Sequence, residues 1–238
     1  WWSPGPAASV ELIERLRPLR CQLVHALDRT ALAPAARIAG DLELPLLASC
    51  HSLAVVRQLA RLGGLSGVLA ASDPIRRELR RRRVVPTNRL HRIRPGVHQV
   101  RHANCFNDPQ HSISLVSCGR LDDYRAYGAM LKAFAELNAR DEDCAFFIIG
   151  TGPEEQRLRH LADKLDLRHE LSFNDAFPAR QLPGILKAAD VYLSPANRDE
   201  LDVHALLAMA AGVPVLAAEG GVSDFLIDGT TALLHEKG

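Results

Sequence analysis

Short apolar runs recur along the chain, each followed by a polar turn and then by apolar residues three and four positions apart. Such runs predict buried strands, and the 3–4 spacing predicts helices packed on them. In the first half, strands are expected at 20–25, 44–50, 67–71 and 90–93. A helix is expected at 31–38, and another is opened by Ser72-Asp73-Pro74: a capping hydroxyl, an acid for the helix dipole and a proline in the first turn. Residues 99–111 are polar and aperiodic and read as a linker. Beyond them strands are expected at 113–118, 145–149, 170–173, 189–193 and 215–218, with helices at 127–138, 153–165, 183–188 and 203–211. Met130, Leu131, Phe134 and Leu137 mark one face of the first of these helices, and Leu158, Leu161 and Leu165 one face of the second. Strands alternating with helices over short connections imply parallel sheets with helices on both faces. The boundaries expected are a domain over 1–100, a linker over 101–110 and a second domain over 111–238.

The stretch 189–218 carries the strongest local signals. Its strand runs into an acidic loop holding Asp199, Glu200 and Asp202, and the loop opens a helix that is apolar except for His204. A helix apolar on nearly every face is expected in a large core. Gly212 sits where a left-handed cap falls, and Pro214 forbids continuation. Three turns in this half are glycine-marked: Gly119-Arg120, Gly150-Thr151-Gly152 and Gly220-Gly221. Each is read as a strand-to-helix turn, where backbone N–H groups approach an anion and the helix end adds positive potential. A single such turn is ordinary in a parallel sheet; three along one edge point to a phosphate-bearing ligand.

Composition narrows the class. With 238 residues, 47% hydrophobic and 24% charged, the chain is long enough for a sizeable core and is not disordered. A net charge of +1 gives no global case for nucleic acid. No apolar run reaches the roughly 18 residues of a spanning helix, and no basic-then-apolar leader opens the chain. Cys21, Cys50, Cys105, Cys118 and Cys144 are widely spaced without a C-x-x-C, which reads as reduced, mostly buried thiols of a cytoplasmic protein. A metal site is not expected: His98 and His102 are the only i, i+4 histidine pair, and no third ligand is evident. Ser66 lacks the G-x-S-x-G frame of a nucleophile elbow. Arg76, Arg77, Arg80, Arg81, Arg82 and Arg83 form one basic cluster. It is either a solvated helix face or a contact for anionic lipid headgroups at the inner face of a membrane. The chain begins Trp1-Trp2-Ser3-Pro4 and lacks an evident closing helix, and it reads as a fragment or a shortened member of its family.

Ala208-Met209-Ala210-Ala211-Gly212-Val213-Pro214-Val215 resembles the donor-side core of the family 4 retaining glycosyltransferases. That family places one Glu in the preceding loop, then Phe-Gly, then a second Glu just before Ala-Met-Ala. Here Asp199 stands at the first Glu, Leu207 at the second, and Leu201-Asp202 at Phe-Gly. Gly119-Arg120-Leu121 resembles the family's Gly-Arg-Leu, and Arg125 falls at its lysine. In the first half, the strand ending Ser49-Cys50-His51 resembles Thr-x-His, and Val24-His25-Ala26-Leu27-Asp28 resembles Val-His-Ala-His-Asp with Leu27 at the second histidine. Ser72 and Ile93-Arg94-Pro95-Gly96-Val97 also fall at matching positions. The resemblance runs from about residue 25 to 234.

The resemblance implies an α/β protein of GT-B type, two Rossmann-like parallel-sheet domains with the N-terminal, acceptor-side one truncated. It implies transfer of a sugar from a nucleoside diphosphate sugar to a glycan or lipid-linked acceptor hydroxyl, with retention, without a metal or cofactor. The donor expected is a UDP-sugar, with a GDP-sugar as the alternative. Arg120 and Arg125 would clamp the diphosphate, Asp199 would orient the hexose and His51 would face it. Gly119, Gly150, Gly152, Leu201, Asp202, Val203, Gly220 and Gly221 would complete the donor site. Two alternatives stand beside this. Arg120 and Arg125 are also explained as solvated arginines beside Asp122 and Asp123. Leu27, Leu207 and the missing Phe-Gly also fit a non-catalytic relative that binds or scaffolds.

Overall fold

The computed structural model describes residues 6–97, 112–140, 143–178, 180–195 and 199–236. The expected linker at 101–110 and the His98/His102 pair lie outside them. The described chain divides into two compact units. The first runs to Pro95 and also includes Asp199–Leu201 and Gly221–Asp224; the second holds the remainder. Two short segments from the second half of the sequence therefore belong with the first unit, where an undivided 111–238 domain was expected.

The first unit contains, in chain order, α1 (Pro6–Leu16), β1 (Val24–Ala26), α2 (Leu32–Asp41), β2 (Leu46–Cys50), α3 (Leu53–Leu59), β3 (Leu65–Ala70), α4 (Asp73–Arg81) and β4 (Leu90–Arg92). Its four strands are all parallel, in the order β1-β2-β3-β4. Two helices here were not expected, α1 and α3. The start of α3 is set by Ser52, whose backbone is extended and whose Oγ accepts the Val55 N–H at 3.3 Å; Val55, Val56 and Leu59 fill its buried face. Ser72 begins α4 as expected but caps nothing with its side chain. The Asp224 carboxylate takes that role, accepting the Asp73 N–H at 2.8 Å.

The second unit contains β5 (Ile113–Cys118), α5 (Tyr124–Asn138), β6 (Cys144–Ile149), α6 (Glu155–Lys164), β7 (Leu171–Asn174), α7 (Leu182–Leu186), β8 (Val191–Leu193), α8 (Val203–Ala210), β9 (Val215–Ala218) and β10 (Leu233–His235). Its six strands are parallel in the order β10-β9-β8-β5-β6-β7. The chain winds outward from β5 to β7, then returns to lay β8 on the other side of β5. Asp190 pins that return: its carboxylate accepts the Ser114 N–H at 2.7 Å and the Ser114 hydroxyl at 3.0 Å, while itself only 4% exposed. Successive residues of β5 serve opposite faces of the sheet. Leu115 packs with Tyr127, Leu131, Phe134 and Leu158 of α5 and α6; Val116 packs with Leu186, Ala205 and Ala208 of α7 and α8.

α8 is less enclosed than its composition suggests. Ala205 and Ala208 are fully buried against the sheet, whereas Val203 is 38% exposed. Its end is as expected: Gly212 has φ +77°, with the Gly212 N–H on Met209 O at 3.0 Å and the Val213 N–H on Ala208 O at 2.9 Å. Beyond Gly220-Gly221, where a helix was expected, the described chain makes turns and enters β10 alongside β9. The described cysteines are free thiols. Cys50, Cys118 and Cys144 are buried, whereas Cys21 is exposed rather than buried as expected of most.

Candidate active site

In an open parallel sheet, ligands bind outside the carboxyl ends of the strands where the winding reverses. In the second unit that point lies between β5 and β8. A cleft of about 290 Å³ opens beside it, lined by Gly119, Arg120, Gly150, Thr151, Phe177 and His204 among others.

The turns after β5 and β6 pack directly on one another. A Cβ on Gly150 (φ +146°) would stand 1.8 Å from Gly119 O, and one on Gly152 would stand 2.2 Å from Leu121 O. Side chains are therefore forbidden there by backbone. The crossing is held by Leu121 N–H to Thr151 O at 3.1 Å and Glu154 N–H to Leu121 O at 2.9 Å. The Gly119 and Gly150 amides extend the sheet ladders instead, donating to Ile149 O at 3.0 Å and Asn174 O at 2.9 Å. The amides of these two glycines are thus engaged within the sheet. Their role is to bring the two turns together.

Arg120 projects from this crossing, its side chain 67% exposed with Nε 3.2 Å from Asp122 Oδ2. Arg125 lies exposed in the first turn of α5, whose N-cap Asp123 accepts the Arg125 and Ala126 N–H groups at 3.0 and 3.1 Å. Of the two acids beside these arginines, Asp122 pairs with Arg120 as that alternative expects, and Asp123 is engaged with the helix end.

Asp202 also caps a helix. Its Oδ1 accepts the Ala205 N–H at 2.9 Å, and its Oδ2 accepts the Ser194 hydroxyl at 2.5 Å. Tyr192, wholly buried, reaches Asp202 at 3.4 Å while donating to Cys118 O at 3.2 Å. Burial, reinforced by the Asp202 charge, drives the Tyr192 phenol far above its usual range and the Cys118 thiol up to about 12. The amino end of α8 is thus already met by a carboxylate. Leu207, at the second acidic position of the resemblance, packs against the α7–α8 core.

Of the other predicted residues, His51, Asp199, Leu201 and Gly221 lie in the first unit and Val203 and Gly220 in the second. Asp199–Leu201 runs antiparallel to the chain leaving β2: Leu53 N–H donates to Asp199 O at 2.8 Å, Leu201 N–H donates to His51 O at 2.9 Å, and Ser52 bridges Glu200. Asp199 is thereby paired with Leu53 and Leu201 with His51, and the Asp199 carboxylate stands 3.7 Å from Arg57 Nη2. Leu201 is buried. His51 is half-buried, and that burial lowers its pKa, against a smaller upward pull from Glu200 and a further lowering by His25. His25 shares a 2.9 Å hydrogen bond with Ser49 Oγ.

In the arginine cluster, Arg76 pairs with Asp73 at 3.1 Å, and Arg81 and Arg82 both meet Glu78 at 2.6 Å. Hydrogen bonds from those two arginines hold the Glu78 carboxyl at about 2. Arg77, Arg80 and Arg83 are exposed and form no ion pair among the described residues. Among the described residues no group of His, Cys, Asp or Glu is arranged to hold a metal ion. No described helix is long and apolar enough to cross a membrane.

Residues 106–238 match the family described as glycosyl transferases group 1, and residues 2–101 match Glycosyltransferase Family 4. The chain belongs to the group 1 glycosyl transferases. It is 30% identical over 137 residues to a D-inositol 3-phosphate glycosyltransferase of Corynebacterium diphtheriae, covering 55% of this chain and 32% of that relative. It is 27% identical over 232 residues to the Nocardia farcinica protein of the same name, covering 80% and 50%. The chain thus spans a third to a half of the length of these relatives. In fold it resembles Anabaena HepE in complex with UDP-glucose, with a TM-score of 0.79 at 16% identity, covering 97% of this chain and 68% of that one. The lipopolysaccharide outer core galactosyltransferase WaaB matches with a TM-score of 0.70 at 15% identity, covering 98% and 67%. Two Rossmann-like parallel-sheet parts are thus what this glycosyl transferase shares with its GT-B neighbours.

Sequence reasoning did not single out Thr151 or Phe177 of the cleft, nor Arg57 beside Asp199. His204 had one signal, as the only polar residue of an apolar helix.

Proposed function

We propose that this chain carries the donor-binding machinery of a glycosyl transferase that moves a sugar from a nucleoside diphosphate sugar to an acceptor hydroxyl with retention. A UDP-sugar is the first choice of donor and a GDP-sugar the second. The reading rests chiefly on one observation: the crossed glycine turns set Arg120 at the mouth of a cleft at the reversal point of the sheet. In that place a guanidinium meets the charge that grows on a departing diphosphate, where fixed donors contribute most. Arg125 adds a second positive group nearby in sequence. Asp199 would orient the hexose and His51, favoured neutral, would face it. The names of the relatives, D-inositol 3-phosphate glycosyltransferase among them, and the UDP-glucose complex of HepE support the class of donor and reaction. Arg77, Arg80 and Arg83 leave three charges through which α4 and the turn after it would touch an anionic membrane from the cytoplasmic side.

Two observations favour a second reading, a binding or scaffolding relative without turnover. Asp202 already occupies the α8 amino end, and Leu207 is committed to the core. Calorimetric titration with UDP, GDP and ADP, repeated on Arg120→Ala, separates the readings. Binding of UDP or GDP that the substitution removes supports the transferase. A folded chain that binds none of the three overturns it.

A further inference from the structure

The cleft of the second unit is short of donors for an anion. The Gly119 and Gly150 amides are engaged in the sheet, Asp202 holds the amino end of α8, and Leu207 packs in the core. Among the described residues of the lining, the polar side chains are those of Arg120, Thr151, Cys118 and His204. Cys118 is buried, and burial pushes its thiol up to about 12, so it brings no charge. Arg120 shares its charge with Asp122, 3.2 Å away. His204 is the remaining titratable group of the lining. It stands half-buried in the first turn of α8, where every other side chain of the helix is apolar. Packing does not call for a polar ring there, because Ala205 and Ala208 make the fully buried face of α8. The neighbouring elements bring few charges. α7 and β9 carry no ionisable side chain, and β8 carries Tyr192, which is wholly buried. The Asp202 carboxylate, two residues before His204, is directed to the Ala205 N–H, the Ser194 hydroxyl and Tyr192.

We infer that His204 is a donor-binding residue of this chain, its imidazolium donating to the diphosphate of the nucleoside diphosphate sugar beside Arg120, so that donor affinity is linked to a proton. The inference rests on the donor site proposed above and adds to it a titratable group. Histidine is the side chain whose charge changes between about pH 5 and 8. A hydrogen bond from a charged donor to a phosphate oxygen is about twice as strong as a neutral one. An anion in the cleft favours the charged ring, so affinity should rise as pH falls, and binding near neutral pH should take a proton from the buffer.

The test uses the whole chain with UDP-glucose and GDP-mannose. Their diphosphates are diesters without a second ionisation, whereas the terminal phosphate of UDP titrates near about pH 6 and would confuse the result. Calorimetric titrations are run at about pH 5.5, 7 and 8.5, those at pH 7 in two buffers of different ionisation heat. The wild-type chain should bind its donor about tenfold tighter at the lowest pH than at the highest, and take up part of a proton at pH 7. His204→Gln, which offers a neutral donor, should lose about that factor at low pH, match wild type at high pH and take up no proton. His204→Lys should keep the low-pH affinity throughout, again without uptake. Both variants should melt with the wild type, since the ring is outside the packed face of α8. Donor binding that Arg120→Ala removes, but whose pH dependence and proton uptake survive His204→Gln, overturns the inference and leaves the donor site standing. No binding of either nucleotide sugar at any pH overturns both.

Discussion

Replacing Asp202 by alanine should destabilise the second unit by about 2–3 kcal/mol, and the structure supplies the parts. The Ala205 N–H loses its cap, a loss of about 1 kcal/mol. The Ser194 hydroxyl, in a residue only 8% exposed, loses a 2.5 Å bond to a charged acceptor and is left nearly dry, at about 1–2 kcal/mol. Tyr192 adds little, because its hydroxyl keeps Cys118 O at 3.2 Å. Asp202→Asn retains an oxygen for the cap and should fall within about 1 kcal/mol of the parent. Urea denaturation read by near-ultraviolet dichroism is the assay, comparing midpoints at equal slope. An alanine variant within about 0.5 kcal/mol of wild type would sink the account of Asp202 as a structural cap. The same asparagine variant tests the site. It removes a full negative charge from a helix amino end, where an anion is favoured by about 0.3–1 kcal/mol. UDP should therefore bind about two- to fivefold tighter to Asp202→Asn. Unchanged or weaker UDP binding would refute the view that this carboxylate competes with a diphosphate.

The geometry sets three further outcomes. Gly150→Ala places a Cβ 1.8 Å from Gly119 O at a φ of +146°, so it should abolish soluble expression or lower the melting temperature steeply, whereas Gly184→Ala, with no atom near its Cβ, should not. His51 has its pKa lowered by burial, so between that value and the ordinary 6.5 the unfolded chain binds more protons than the folded one. Stability should rise with pH through that window; His51→Asn should flatten the slope, and an imidazole titrating at or above 6.5 would contradict it. Cys50 and Cys118, both held at about 12 by burial, should resist a thiol reagent at pH 8 until the chain unfolds, while exposed Cys21 reacts at once; mass mapping of the labelled sites decides.

The strands at 113–118 and 215–218 were legible because each is a short, mostly apolar run that ends near a glycine-marked turn, a signal that needs no partner to interpret. β1 was legible only in part: of the strand expected at 20–25 only the end is kept, since Val24–Ala26 alone pairs at the edge of the sheet and the residues before it are exposed. α3 is shorter than the window over which helical periodicity stands out, although Ser52 and the Val55, Val56, Leu59 spacing were there to read. Gly220-Gly221 misled for a different reason. A glycine pair after a strand signals a turn, but whether a helix or a strand comes next depends on β9 having an open edge for β10.

The site divides along the same line. Gly119-Arg120 and Gly150-Thr151-Gly152 are local motifs, and the cleft stands on them. The pairing of Asp199–Leu201 with His51–Leu53 joins residues almost 150 positions apart, and no pattern within either segment announces it. Its consequence is chemical. Asp199 is held at its backbone by the Leu53 N–H, and its carboxylate lies 3.7 Å from Arg57. Asp202, three residues along, is spent on Ala205, Ser194 and Tyr192. Of these two acids Asp202 is committed to the fold, whereas under the proposed function Asp199 meets the sugar. That division makes Asp202→Asn informative about donor affinity and Asp199→Asn informative about transfer. If transfer exists, Asp199→Asn should lower its rate while leaving UDP affinity near that of the parent; a loss of UDP affinity instead would place Asp199 on the nucleotide.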